Sequence, residues 1–126
     1  MIGFFKKEKK QPRNLKEVLA RIEELEGKLN KVSRQLRELK KEGLFSIQKV
    51  GIVRFNPFSE VGGDQSFSLA LLDGHNNGVV ITSLYTRENN RIYGKPVAGG
   101  ESEYVLSKEE KSAIEKAKEI KNNDKQ

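Results

Sequence analysis

Apolar residues in the first third of the chain fall at positions 15, 18, 22, 25, 29, 32, 36 and 39, at intervals that alternate three and four. This spacing predicts a helix with a heptad seam: Leu15, Ile22, Leu29 and Leu36 at a, and Val18, Leu25, Val32 and Leu39 at d. Only Leu19, at e, widens the stripe, whereas a helix lying on a globular core usually shows a broader apolar face. Asn14 and Glu17 have the spacing of a capping box, with Pro12 just upstream. Lys40 and Lys41 suit the negative end of a helix dipole, and Gly43 is the expected stop. The helix would be roughly 29 residues, or on the order of 43 Å, long. Gly27 falls at f, where it weakens the helix by up to about 1 kcal/mol without interrupting the seam. We therefore expect a coiled-coil oligomer, a dimer first and a trimer second, rather than a helix folded back on its own sheet.

From Leu44 the helical period disappears and Val, Ile, Phe, Leu and Ser dominate. Strands are expected at about 46–55, 66–73, 78–85 and 90–97, divided by Asn56-Pro57, Gly62-Gly63-Asp64, the Asp73–Gly78 segment and Asn89-Asn90. Short connections favour an antiparallel meander, with one longer loop from Asn56 to Gln65. By alternation Phe67, Leu69 and Leu71 share one side of the second strand, and Ser68, Ala70 and Leu72 the other. On the third strand Val79 and Ile81 oppose Val80, Thr82 and Leu84. Both faces are thus partly apolar, and both need cover. Ser107-Lys108-Glu109-Glu110 reads as a second capping box, opening a helix to about Ile120 with Ala113, Ile114, Ala117 and Ile120 on one side. The other cover would be a second subunit or the base of the coiled coil. The expected fold class is α+β: an N-terminal coiled-coil helix, a four-stranded antiparallel sheet and a C-terminal helix. The domain organisation is a tail at 1–13, the helix at 14–43, the α+β domain at 44–121 and a disordered tail at 122–126.

Composition narrows the chemistry. The chain of 126 residues holds no cysteine and one histidine, which excludes disulfides, thiolate metal sites and a histidine relay. Residues 1–43 carry 13 Lys/Arg against 7 Asp/Glu, and residues 44–126 carry 11 of each, so the whole excess of +6 lies in the first third. Lys6, Lys7, Lys9, Lys10, Arg13 and Lys16 face Glu8 alone in the first sixteen residues. With the apolar tip Ile2, Phe4 and Phe5, the lysines at 6, 7, 9 and 10 form a candidate membrane-surface segment. The tip is too short for a secretory signal, and no stretch approaches the roughly 20 apolar residues of a spanning helix. A basic tail can also attract nucleic acid, the second alternative function, although no nucleic-acid-binding motif accompanies it.

Arg91, Tyr93 and Lys95 alternate along the fourth strand and should share a face, with Arg87 just before them. Arg54, at the end of the first strand on a neighbouring edge, would complete a patch for a carboxylate, phosphate or acidic peptide, and Gln65, Ser66, Ser68 and Ser83 would add hydrogen bonds. The competing role of such cations is to protect a sheet edge from aggregation. Gly62-Gly63 has neither nucleotide-loop spacing, His75 in its turn has no neighbouring nucleophile pattern, and Asp64 and Asp73 would meet at a metal only if their loops converged. No metal, cofactor or catalytic activity is expected.

The runs VGIVRFNPF (50–58), GGDQSFSLALLD (62–73) and NGVV (77–80), with Ser83-Leu84, Arg87, Tyr93 and Lys95-Pro96, carry a resemblance over roughly residues 15–116. The chain resembles an uncharacterised bacterial family catalogued as domain of unknown function 4446. That resemblance implies a membrane helix, a coiled coil and then this domain in a bacterial setting; this sequence departs from it in showing no spanning segment. The expected function is a non-enzymatic oligomeric adaptor whose α+β domain binds a protein or small anionic ligand, in the bacterial cytoplasm or peripherally at the inner face of the membrane. The alternative is a ligand-sensing module with a pocket near the 56–65 loop and strand four.

Overall fold

The computed structural model describes residues 13–57 and 65–120. Among them the order is α1 (Leu15–Gly43), β1 (Ile47–Phe55), β2 (Ser66–Asp73), β3 (Gly78–Tyr85), β4 (Asn90–Val97) and α2 (Lys108–Lys118). This is the expected α+β architecture of an N-terminal helix, an antiparallel sheet and a C-terminal helix. The chain divides into two compact units, the first ending at Lys40 and the second opening at Lys41.

In the first unit, Asn14 Oδ1 accepts from Glu17 N–H at 2.9 Å and the Asn14 carbonyl from Val18 N–H at 3.1 Å, satisfying donors that the first turn leaves free. The reciprocal half of the expected capping box is shifted. The Glu17 carboxylate accepts from the Arg13 N–H at 2.6 Å, one residue upstream of Asn14. In the second unit, the helix ends as Leu44, Phe45 and Ser46 donate to the carbonyls of Lys41, Glu42 and Gly43. The Gln48 amide donates to the Gly43 carbonyl as well, at 2.9 Å.

The strands form one sheet in the order β1-β2-β3-β4, every neighbour antiparallel. Because register dictates which side chains share a face, the pairing defines two surfaces. On the inner face Gly51, Ala70, Val80 and Lys95 form one cross-strand row, and Val53, Ser68, Thr82 and Tyr93 the next. Helix α2 packs on this face, and its Ala113, Ile114 and Ala117 join Ala70, Leu72, Val80 and Val97 in the core. Small residues permit the close approach. A Cβ on Gly51 would lie 2.2 Å from the Ala113 carbonyl oxygen and 2.5 Å from the Ala117 nitrogen. Ile120, expected on this side of the helix, lies beyond the end of α2 and is exposed. The charged Glu110 is buried in the helix's inner face instead.

Glu110 closes a polar network across the helix–sheet boundary. The Ser107 cap completes the expected box: Glu110 N–H donates to Ser107 Oγ at 3.1 Å, and Ser107 N–H to Glu110 Oε1 at 2.8 Å. Lys95 Nζ donates to the same Oε1 at 2.8 Å, and to the Val105 carbonyl at 2.7 Å. Thr82 Oγ1 donates to Oε2 at 2.7 Å. Since the hydroxyl proton of Thr82 is committed there, the 2.7 Å contact between Ser68 Oγ and Thr82 Oγ1 is donated by Ser68. Burial pushes the Glu110 carboxyl upward. It is outweighed by the Lys95 bond, the Ser107 N–H, the Thr82 hydroxyl and the Lys95 charge, so the group titrates below its ordinary range.

Gly51→Ala is expected to destabilise the fold by about 1–3 kcal/mol through overpacking against the α2 backbone, read as a lowered Tm in thermal circular dichroism. A Glu110 pKa depressed by folding gives stabilisation that is complete above the unfolded pKa and lost as pH falls through the folded one. Glu110→Gln should therefore cost on the order of 2 kcal/mol near neutrality, and its gap from the parent should narrow under acid. Denaturant titrations of both chains at neutral and acid pH check this; a gap that widens at low pH contradicts the assignment.

Candidate interaction surfaces

Among the described residues two apolar surfaces lack cover. The first is the heptad stripe, where no residue of α1 is buried. Its eight a and d side chains are between 36% and 72% exposed, Val18 least and Leu15 most. The helix carries local support in the Asn14 cap and a Lys28–Glu24 pair at 3.2 Å, one turn apart. No helix among the described residues is long and apolar enough to cross a membrane.

The second is the outer face of the sheet. Val50, Leu71, Val79 and Pro96 form one row, and Ile52, Leu69, Ile81 and Gly94 the next. A third row holds Arg54, Phe67, Ser83 and Ile92. None of these side chains is buried, and Val50 and Ile52 are each 49% exposed. The expectation that both faces need cover thus meets a structure in which α2 covers one.

The candidate anion-binding residues do not converge. Arg91, Tyr93 and Lys95 share the inner face of β4, as alternation requires, but Lys95 is held by Glu110 and Val105. Arg91 and Tyr93 line a cavity of about 230 Å³ with Leu84, Thr86, Glu88 and Asn89 at the β3–β4 turn, which also contains Arg87. Arg54 was expected on an edge neighbouring strand four. The meander instead puts β1 and β4 at opposite edges, and Arg54 projects on the outer face. Ser83 also lies on the outer face, whereas Ser66 and Ser68 are buried on the inner one, Ser66 Oγ accepting from Tyr85 N–H at 2.9 Å. Gln65 stands just before β2. A larger cavity, about 420 Å³, is lined by Pro96, Ala98, Glu101, Ser102, Glu103 and Tyr104, and its charged groups are carboxylates. The Ile2, Phe4, Phe5, Lys6, Lys7, Lys9 and Lys10 segment, Gly62, Gly63, Asp64 and most of the 56–65 loop lie outside the described residues.

Asp73 serves the β2–β3 turn. Its Oδ1 accepts from Asn77 N–H at 2.9 Å and from His75 N–H at 2.8 Å, while Asn76 takes a left-handed φ of 64°. The Asn77 N–H is the largest influence holding the Asp73 carboxyl below its ordinary value; partial burial opposes it, and the His75 N–H reinforces it. The turn is clamped from outside by Lys49 Nζ on Asn76 Oδ1 at 2.8 Å and by Gly99 N–H on Asn77 Oδ1 at 2.7 Å. His75 rests against the Phe45 ring, 4.8 Å between centroids. No cluster of three metal-ligating side chains occurs among the described residues.

From the sequence alone Glu110 reads only as part of a helix cap. The missed signal was polar residues at matching positions on the inner face, since Ser68 and Thr82 are direct cross-strand partners. No curated protein and no solved structure matches the chain. The family model described as protein of unknown function (DUF4446) matches residues 3–118, a span that takes in α1, the whole sheet and α2, and the chain belongs to that family.

Proposed function

We propose that the protein is a non-enzymatic oligomeric adaptor, in which α1 pairs with copies of itself and the sheet unit offers a surface to a protein partner. The observation that carries this reading is a helix of 29 residues with an unbroken heptad seam and no buried side chain. A solitary helix in water gains little from propensity, and in proteins its stability comes mainly from packing an apolar face. Each seam side chain is worth about 1.5–3 kcal/mol when fully buried, so association with another heptad helix is the natural resolution. No a or d position is charged, which lets identical stripes meet without repulsion.

A protein is favoured over a small anion as the second partner because the basic side chains are dispersed. Arg54 lies across the sheet from Arg91, and Lys95 is paired with Glu110. Nucleic acid is less favoured because the excess positive charge lies wholly before residue 44.

Sedimentation velocity of the full chain should show an oligomer, and Leu29→Asp with Leu36→Asp at two a positions should convert it to monomer with a loss of helical ellipticity. A parent chain that sediments as a monomer over the accessible concentration range would remove the adaptor reading.

A further inference from the structure

From the outer sheet face we infer that it stacks on the same face of a second copy, so that the assembly is a parallel two-stranded dimer. This rests on the oligomeric reading above and adds helix orientation and subunit number to it. The central rows, Val50-Leu71-Val79 and Ile52-Leu69-Ile81, are uncharged, and none of their side chains is fully buried. In a two-fold contact each patch meets its own copy, so a charge at its centre would be opposed by the same charge. The charged side chain in the three rows, Arg54, stands at a corner on edge strand β1. Two such faces meet without like-charge repulsion at the middle. Beyond Ile81, a Cβ on Gly94 would meet no atom within 4 Å, so the position beside the central rows is open.

Area decides what else is needed. Strands about 4.8 Å apart and same-face residues about 6.7 Å apart make the three rows a patch of roughly 400 Å². A specific interface buries about 800 Å² per partner, so this face alone is about half of what a stable dimer requires. The seam supplies the rest. Only residues 44–46 separate α1 from β1, so paired helices that run parallel bring two sheet units together at an effective concentration in the millimolar range. Antiparallel helices would send the units to opposite ends of a seam about 43 Å long. A trimer would leave one flat face without a counterpart. Sheet stacking therefore selects parallel over antiparallel and two strands over three.

The chain has no cysteine, so a nitroxide can be placed at a single introduced site, Lys111→Cys, on the exposed side of α2. Stacked sheets about 10 Å apart, each with its helix about 10 Å further out and the label on the helix's outer side, predict a narrow label–label distance of roughly 45 Å in pulsed electron resonance. Val50→Lys with Ile52→Lys, both half-exposed within one chain, should leave the unit folded, with the parent's circular dichroism spectrum. The pair should broaden that distance and weaken dimerisation roughly tenfold or more. Leu29→Asp with Leu36→Asp should abolish the distance altogether, since the face cannot hold alone. A monomeric parent overturns both this inference and the adaptor reading. A parent dimer with a broad distance that the lysines do not alter overturns stacking alone, and assigns the face to a different protein. A trimer, or a long distance indicating antiparallel helices, likewise overturns stacking while leaving the adaptor reading in place.

Discussion

An eleven-residue helix, about 16 Å long, cannot cover both faces of a four-stranded sheet. That shortage of cover governs the second unit. Helix α2 lies across the inner face, where Gly51, Ala113 and Ala117 let the backbones approach, and the fully buried side chains of the core collect beneath it. The outer face keeps Val50 and Ile52 half-exposed and Leu69, Leu71, Val79 and Ile81 only partly buried. An apolar sheet face and an apolar heptad stripe in one chain pose the same physical problem, and the association proposed above would answer both.

The inner face is not uniformly apolar, and its polar part locates the helix. Alanine and glycine surfaces are smooth and would tolerate sliding. Glu110 removes that freedom, because its two oxygens accept from Thr82, Lys95 and the Ser107 N–H together. The Ser107 N–H travels with the helix, but moving α2 by a residue would strand a buried carboxylate without its two sheet donors, Thr82 and Lys95, a larger penalty than the network's net contribution. Lys95 is thereby a structural residue, and the candidate strip along β4 is reduced to one cation, Arg91, beside Tyr93 at the far end. The DGHNNG turn is built on the same logic, with Asp73 turned inward onto backbone donors rather than outward toward a ligand.

The long-period features were legible in the sequence. Heptad spacing located α1, alternation and turn residues located four strands within a residue or so, and Ser107 with Glu110 located the start of α2. These are local properties, written in nearest neighbours and in periods of two and about three and a half. The candidate site was less legible. That Arg91, Tyr93 and Lys95 share a face follows from alternation. That Lys95 would be taken by Glu110, fifteen residues later in the chain, depends on where a helix lands. Arg54 was placed beside strand four, and only the strand order shows that two strands lie between them.

By itself the sequence determined the elements, their boundaries, the two-faced character of the sheet and the lack of charge at the seam, because each is a matter of residue type at a fixed local spacing. The tertiary structure alone decided which sheet face α2 covers and which stays open, since both faces carry similar apolar patterns. The choice came from side-chain fit between distant parts of the chain: a glycine under a helix backbone, and one carboxylate within reach of a threonine and a lysine on adjacent strands.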